Sequence, residues 1–315
     1  MIIWGTKRDC GGWIQVYYYK LYGVRVASDF ELKQLVRLAE DEQILEPQIT
    51  IMERSLAQVF DKQNPFYYKV DTQVSYVSNS FCYMLMEEGK NIFYEKKTGV
   101  TPQLLNAYIL GWGIAILFYQ RGQLALHGSC LREQKKALVI SGNSGSGKST
   151  VTEELLKRGF GFMADDMVVV QKSQANDMLA TAAFPYQKLC RDVAEDSAVP
   201  KEEMIYIDEA KDKYLVPYQG DFDETSASIN TMIILKVSDI EQVSVQELVG
   251  GDKFRASMDA LFLQPLLGEQ LYIPEQGRRI LEFASKVQIY QIERPREKNS
   301  KDEIVDAILE IWQRS

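Results

Sequence analysis

The chain has little of the chemistry that many metal and redox sites need. It contains one histidine, His127, and four cysteines, Cys10, Cys82, Cys130 and Cys190, with no C-x-x-C pair. Zinc sites and disulfide frameworks group such residues closely, so neither is expected, and the thiols are expected to be reduced. The first residues, MIIWGTKRDCGG, lack the charged start and apolar run of a secretory signal. We therefore expect a cytoplasmic protein.

The chain also has fewer basic than acidic residues. The sequence has 36 basic against 44 acidic residues, a net charge of −8. Such a field repels nucleic acid and anionic lipid, so we expect no nucleic-acid partner and no membrane partner. A small anion can still bind, because a local nest of backbone N–H groups acts against the global charge.

No apolar run reaches the roughly 20 residues that a membrane-spanning helix needs. The longest, from Leu104 to Gln120, is interrupted by Gly111 and Gly113. Thr101 and Pro102 stand before it in the order typical of an N-cap and a first helical position. The pattern predicts a helix buried in the core.

The first part of the chain, residues 1–120, alternates short apolar runs with turn residues. The runs WIQVYYYKLYGVRVAS, PQITIME, YYKVDTQVSYVS and FCYMLMEEGKNIFYEKKTG have period-two patterning rich in β-branched and aromatic residues. We predict a β-rich N-terminal domain with antiparallel strands, which a short helix at FELKQLVRLAE interrupts and the long apolar helix closes.

The second part, residues 121–315, changes to strand, loop, helix and strand. This order indicates a βαβ unit with a parallel central sheet, hence an α/β domain. The polar run from Pro200 to Ser228 is interpreted as a loop or lid. The tail SKDEIVDAILEIW predicts an amphipathic helix that a capping box of Ser300 and Glu303 opens.

A glycine-rich stretch, GNSGSGKST, carries the most specific chemistry. Gly142, Gly147, Lys148 and Ser149 match G-x-x-x-x-G-K-[ST], with an apolar strand before the motif and a helix after it. We expect backbone N–H groups to hold the phosphates of ATP, Lys148 to reach the β- and γ-phosphates, and Ser149 to bind Mg²⁺. The predicted nucleotide-binding residues are Gly142, Asn143, Ser144, Gly145, Ser146, Gly147, Lys148, Ser149 and Thr150.

Two adjacent acids, Asp165 and Asp166, follow the apolar run FGFMA after the motif's helix. A parallel strand in that place ends on the same edge of the sheet as the loop, which would turn both carboxylates toward the phosphates. One acid can hold the metal while the other accepts the proton of an attacking hydroxyl. We assign Asp165 to the metal and Asp166 to the base.

Further candidates flank these acids. His127 lies in LALHGSCL, the strand just before the motif's strand, where a neighbouring position would bring the imidazole to the metal or the γ-phosphate. A phosphoryl-transfer site also needs a cation on the transferred group. Lys188, Arg191 and Lys213 follow the acids, and we select Arg191 and Lys213.

LHGSC, SGNSGSGKST and LLKRGFGFMADD, in this order, resemble the HPr kinase/phosphorylase family and the wider P-loop group that includes ATP-dependent phosphoenolpyruvate carboxykinase. The N-terminal YKLYGVRVASDFELKQL looks like HPr-kinase-like proteins of peptide-modifying gene clusters. The resemblance implies a P-loop kinase domain with a mixed central sheet and a smaller β-rich N-terminal domain. It also implies roles for His127, Asp165 and Asp166.

One segment departs from that family. The glycine-rich E-x-R-G-x-G of HPr kinases is replaced after the acids by AFPYQKLCRDVAED, which argues against HPr as the acceptor. We therefore expect a kinase that uses ATP and Mg²⁺ to phosphorylate a hydroxyl, either a serine of a protein or peptide or a small molecule. A nucleotide-gated binding protein without transfer, a phosphorylase and a carboxykinase-like enzyme remain alternatives.

Overall fold

A computed structural model describes residues 15–56, 58–60, 66–207 and 212–314. The strands are β1 (Tyr17–Leu21), β2 (Val24–Ser28), β3 (Val36–Arg37), β4 (Ile49–Glu53), β5 (Tyr67–Lys69), β6 (Val74–Ser78), β7 (Cys82–Glu87), β8 (Asn91–Lys96), β9 (Leu124–Glu133), β10 (Lys136–Gly142), β11 (Gly161–Ala164), β12 (Met167–Lys172), β13 (Met178–Ala180), β14 (Tyr186–Cys190), β15 (Ile205–Ile207), β16 (Lys213–Pro217), β17 (Ala227–Ser238), β18 (Ser244–Glu247) and β19 (Gln288–Pro295). The α-helices are α1 (Pro102–Tyr108), α2 (Ile114–Gln120), α3 (Lys148–Lys157), α4 (Arg191–Glu195), α5 (Gly250–Asp259), α6 (Gln264–Leu267), α7 (Pro274–Lys286) and α8 (Lys301–Arg314). The predicted α/β class is confirmed.

The first sheet is built from the strands before residue 97. Its order is β3-β1-β2-β4-β8-β7-β6-β5. Most neighbours are antiparallel as predicted, and the β7–β8 hairpin turns at EEGKN. The antiparallel prediction is wrong at the centre, where β4 pairs in parallel with both β2 and β8.

The helix predicted for FELKQLVRLAE does not form. The segment makes turns and the two-residue strand β3, because other groups satisfy its backbone: the amide of Leu32 donates to the Tyr19 hydroxyl and that of Leu38 to the Tyr18 carbonyl. Leu32, Leu35 and Leu38 are buried in this extended path. Their three-residue spacing matches that of apolar residues on one face of a helix, which explains the wrong prediction.

The second sheet holds the glycine-rich motif. Its order is β10-β9-β12-β13-β17-β19-β18, with β11 also against β9 and β10 also against β17. β10 runs parallel to β17 and antiparallel to β9, so the sheet is mixed. The parallel prediction holds for β10, β17 and β19 and fails for β9, the strand adjacent in sequence.

The segment from Pro200 to Ser228 is more ordered than the predicted loop or lid. It contributes β15 and β16, and β16 pairs with both β14 and β15 in a three-stranded antiparallel sheet. The segment then enters β17 at Ala227. Residues 208–211 lie outside the described part of the chain. The motion of a lid stays a prediction.

The apolar helix before the second sheet is buried, as predicted. It begins with Thr101 accepting from the Leu104 amide and Pro102 in the first turn, continues through a π-helical turn at Ile109–Gly113, and ends with α2. By length and composition the stretch could cross a membrane, but 67% of it is buried inside the protein. Core helices of soluble proteins pass the same test.

The tail helix α8 covers the opposite side of the second sheet and buries Ile304, Ile308 and Trp312. The predicted capping box is wrong. Glu303 accepts from Lys298, and the buried Ser300 hydroxyl has no hydrogen-bond partner among the described residues.

The hydrophobic core is continuous across residue 120. The Tyr22 ring packs edge-on against Phe118 at 5.5 Å, and its hydroxyl donates to the carbonyl of Met167 at 2.9 Å. The division of the chain into two folding units at this position therefore stays a prediction.

Strands β9 and β10 approach closely at Gly128, where a Cβ would overlap the carbonyl oxygen of Ile140. Gly128→Ala is therefore expected to cost about 1–3 kcal/mol of unfolding free energy, measured by urea titration. The same change at Gly277, inside α7 with no atom within 4 Å of its added Cβ, should stabilise by about 0.5–1 kcal/mol. Equal stability of the Gly128→Ala variant and the parent would contradict this packing.

Candidate active site

A cavity of about 910 Å³ opens where the second sheet meets α1, β14 and α3. This volume lies at the upper end of the usual range for ligand sites, about 300–1,000 Å³. The glycine-rich segment contributes Ser144, Gly145, Gly147, Lys148, Ser149 and Thr150 to its lining. The cavity is thus large enough for a nucleotide and part of a second substrate.

Glycine is required by the shape of the loop. Gly142, Gly145 and Gly147 have φ values of 143°, 80° and 103°, where other residues are strained, and a Cβ at Gly142 would overlap the carbonyl oxygen of Leu235 on β17. The chain passes from β10 through this turn directly into α3 at Lys148. A strand, a glycine-dependent turn and a helix N-terminus together have the architecture of a phosphate-binding loop.

Two side chains of the loop are placed to bind an anion. The Ser146 hydroxyl is buried and has no hydrogen-bond partner among the described residues. The Lys148 ammonium folds back onto its own loop, where it donates to the carbonyls of Gly142 at 2.6 Å and Asn143 at 3.1 Å. A phosphate would offer both groups a stronger acceptor.

Arg294, at the end of β19, holds the loop from outside. Its Nε donates to the carbonyl of Ser146 and its Nη2 to that of Gly145, both at 3.0 Å. The guanidinium neutralises the two carbonyl dipoles that would repel an anion, and it adds a positive charge to the cavity it lines. The sequence motif gives no indication of this residue, because β19 reaches the loop through pairing with β17.

Asp165 and Asp166 lie at a break in a strand. β11 and β12 follow each other along the same side of β9, and the two acids fall between them, level with Gly128 and Ser129. On the other side of β9, Ser141 at the end of β10 pairs with Gly128. The glycine-rich loop and the two acids therefore lie at one edge of the sheet, with only β9 between them. The strand that carries the acids does not end at them as predicted, because β11 continues as β12.

Asp165 is anchored by two hydrogen bonds. Its Oδ1 accepts from the Ser129 hydroxyl at 2.8 Å and its Oδ2 from the Lys188 amide at 2.7 Å. Burial and the neighbouring Asp166 charge raise the pKa of Asp165, against the lowering effect of these donors. The side chain has a fixed orientation with lone pairs remaining for a metal or a water.

Asp166 faces the cations of the cavity. Its Oδ2 lies 3.6 Å from Lys188 Nζ and its Oδ1 lies 3.9 Å from His127 Nδ1. Burial alone would raise its pKa, but the charges of Lys188, Lys213 and Lys148 outweigh burial and lower the pKa of Asp166, and His127 adds to this effect only when its ring is protonated. The carboxylate is therefore ionised at neutral pH and available as an acceptor of protons or cations.

His127 contacts the same turn. Its Nδ1 lies 3.1 Å from the main-chain oxygen of Asp166. A carbonyl oxygen can only accept, so Nδ1 carries the proton and Nε2 is the acceptor nitrogen of the neutral ring. Burial lowers the pKa of His127, against the raising effect of Asp166, which favours this neutral form.

The predicted catalytic residues line one cavity, with the exception of Arg191. His127, Asp165, Asp166 and Lys213 line the cavity together with the loop. Arg191 does not: its guanidinium pairs with Asp212 and lies over the ring of Tyr214.

Lys188, on β14, lines the cavity in its place and meets Asp166 directly. Lys188 lies in the paired part of β14, whereas Arg191 begins the next helix, where its guanidinium is held by Asp212.

Few protein ligands are available to a metal here. Among the described residues no three histidine, cysteine, aspartate or glutamate side chains are grouped as a metal site. Ser149 and Asp165, the predicted ligands, both line the cavity. This sparse set fits Mg²⁺, which in nucleotide sites takes one or two protein ligands and completes its shell with phosphates and water.

The segment from β9 to the end of β14 thus holds a glycine-rich turn between a strand and a helix, with two adjacent acids beside it. Residues 121–191 match the family model of the HPr Serine kinase C-terminal domain. Over this segment the chain is similar to the C-terminal domain of HPr serine kinases.

Two curated relatives are similar in sequence to this chain over limited spans. The HPr kinase/phosphorylase of Lachnoclostridium phytofermentans is 31% identical over 106 residues, which cover 34% of this chain and 32% of the relative. The putative HPr kinase/phosphorylase 2 of Oceanobacillus iheyensis is 37% identical over 59 residues, 19% of each chain. The matches span about a third or less of the relatives' length.

Among solved structures, the Hpr(Ser) kinase/phosphatase from Coxiella burnetii aligns with 60% of this chain and 91% of its own, at 10% identity and a TM-score of 0.30.

Removal of the Arg294 guanidinium should weaken nucleotide binding. Arg294→Ala frees two loop carbonyls and removes a nearby charge, so the Kd for Mg·ATP is expected to rise about tenfold or more, as measured by calorimetry. Arg296→Ala is the matched control, since Arg296 pairs with exposed Asp239. Equal affinity in the Arg294→Ala and Arg296→Ala variants would contradict the role of Arg294.

Proposed function

We propose that this protein is a kinase that uses ATP and Mg²⁺ to transfer the γ-phosphoryl group to a hydroxyl. One observation carries the proposal: an ionised carboxylate, Asp166, shares a cavity with Lys148 of a phosphate-binding loop, and their charges interact. A protein that only binds nucleotide has no need of a base beside the phosphates.

The loop side of the cavity would bind and orient the triphosphate. Backbone N–H groups and Lys148 contact phosphate oxygens, while Arg294 keeps the loop carbonyls turned away from them. Ser149 and Asp165 would hold Mg²⁺, which supplies neutralisation of charge on the phosphate oxygens. The anchoring of Asp165 by Ser129 fixes one ligand before the metal arrives.

The opposite side would activate the acceptor. Asp166 takes the proton of the acceptor hydroxyl as that oxygen bonds to the γ-phosphorus and ADP leaves with the bridging oxygen. Lys188 and Lys213 are placed to balance the negative charge of the transferred group. His127, neutral and protonated at Nδ1, holds the Asp166 turn through the carbonyl of that residue.

The acceptor is a serine of a protein or peptide, or a small molecule with a hydroxyl. The relatives are named HPr kinase/phosphorylase, which favours a protein acceptor. The same residues would serve the reverse reaction, with Asp166 then returning a proton, so a phosphorylase direction belongs to the same proposal.

Two substitutions should separate nucleotide binding from transfer. Lys148→Ala is expected to abolish transfer. Asp166→Asn should leave Mg·ATP binding within a few-fold of the parent and lower turnover by about 100-fold or more. Asparagine tolerates the left-handed backbone that Asp166 adopts, at φ 67°, so the fold is kept.

Labelled ATP, incubated with the protein alone and with a mixture of serine peptides, measures hydrolysis and transfer. Lys157→Ala, an exposed change on the same helix, should behave like the parent. Parent-like turnover in Asp166→Asn would refute the proposed base. Binding of ATP with neither hydrolysis nor transfer would instead identify a nucleotide-gated binding protein.

A further inference from the structure

Aromatic side chains form one wall of the active-site cavity. Phe81, Tyr108, Trp112 and Phe262 all line it and are all partly exposed, and we call them the aromatic wall. Phe81 stacks on Tyr108 with ring centres 4.7 Å apart, and Tyr108 meets Trp112 edge-on at 5.6 Å. Phosphate chemistry gives no reason for these four residues, none of which carries a charge.

The aromatic wall lies beside the proposed base. The Phe262 ring centre is 6.0 Å from that of His127, and His127 lies 3.9 Å from Asp166. The helix that carries Tyr108 and Trp112 reaches the same point, because Gly111 borders a small cavity that Asp165, Asp166 and Lys188 also line. The wall therefore continues from the place where an acceptor hydroxyl would meet Asp166.

The triphosphate would lie against the glycine-rich loop. Arg294 marks it by holding Gly145 and Ser146 at the tip of the loop. Lys148 follows this loop at the start of α3 and lines the cavity together with Asp166. The phosphates would thus lie between Arg294 and Asp166, with the aromatic wall beyond Asp166 on the acceptor side.

The helix that carries Tyr108 and Trp112 contains a π-helical turn. Gly111 and Trp112 lie in the π-helical turn, while the next turn, Ile114–Tyr119, is fully buried. A π-helical turn shifts the following side chains around the helix axis and is frequent at functional sites. Here the π-helical turn contains Gly111 and Trp112, which both line the cavity.

We propose that the aromatic wall is a specificity subsite for the acceptor, which rests on the proposed kinase function. Three consecutive rings extend over at most about 10 Å, the length of about three extended residues. The acceptor is accordingly a peptide or protein segment that carries an apolar or aromatic side chain within about three residues of the phosphorylated hydroxyl. Burial of that side chain against the rings orients the hydroxyl at Asp166.

The test compares two synthetic heptapeptides with a central serine, one flanked by phenylalanine and one by glutamine, each with a fluorescent label. Binding is measured by anisotropy in the presence of Mg²⁺ and a non-hydrolysable ATP analogue, and transfer is measured with labelled ATP. The parent should bind the phenylalanine peptide about tenfold or more tightly, with a matching preference in kcat/KM.

Trp112→Ala should remove this preference and leave the Kd of Mg·ATP unchanged, while Trp112→Phe should restore most of it. Tyr108→Ala gives a second variant if Trp112→Ala unfolds, and thermal melting monitors both. Tyr272→Ala, a change at an exposed aromatic residue outside the cavity, is the matched control.

Equal binding of both peptides by the parent would overturn the proposal. A loss of Mg·ATP affinity in Trp112→Ala with the peptide preference intact would also overturn it and assign the wall to the nucleotide base. Preferential binding without transfer would support the subsite and contradict the kinase function, so the two claims fail separately.

Discussion

The site depends on the central position of β9 in the second sheet. One side of this strand pairs with β10, and the other with β11 and then β12. Adjacent strands are about 4.8 Å apart, so the glycine-rich loop and the paired acids are about two strand spacings from each other. His127, Gly128 and Ser129 fill the interval: the first contacts Asp166, the second allows the close approach of β10, and the third donates to Asp165.

Local cations decide the electrostatics of the site, against the charge of the whole chain. The chain carries a net charge of −8, yet Lys148, Lys188 and Lys213 converge on the cavity. They keep Asp166 ionised although the residue is partly buried. Asp165, one residue earlier, experiences mainly burial, and its pKa is raised. Adjacent acids with opposite pKa shifts are suited to different roles.

The parts of the fold and site that were predictable from the sequence depend on short-range patterns. The glycine motif, the acids after α3, the capped helix at Thr101 and the apolar face of α8 each involve residues close together in sequence. Strand pairing is a long-range property and was less accessible. The parallel position of β4 and the false helix at Leu32–Leu38 depend on partners distant in sequence. The antiparallel β9 pairs with the next strand, β10, in a hairpin, and it was missed because the strand–loop–helix order was interpreted as wholly parallel. Arg294 was missed, and Arg191 was preferred to Lys188, because the contacts that place these residues also involve partners distant in sequence.

The central claim is that one cavity holds the triphosphate against the loop and presents its γ-phosphate to Asp166. The most direct test is a crystal structure with Mg²⁺ and a non-hydrolysable ATP analogue. We predict a γ-phosphate oxygen within hydrogen-bond distance of Lys148 Nζ, metal contacts from Ser149 and Asp165, and Asp166 facing the phosphorus on the side of the aromatic wall. A triphosphate bound away from the loop, or an Asp166 carboxylate turned out of the cavity, would contradict the account.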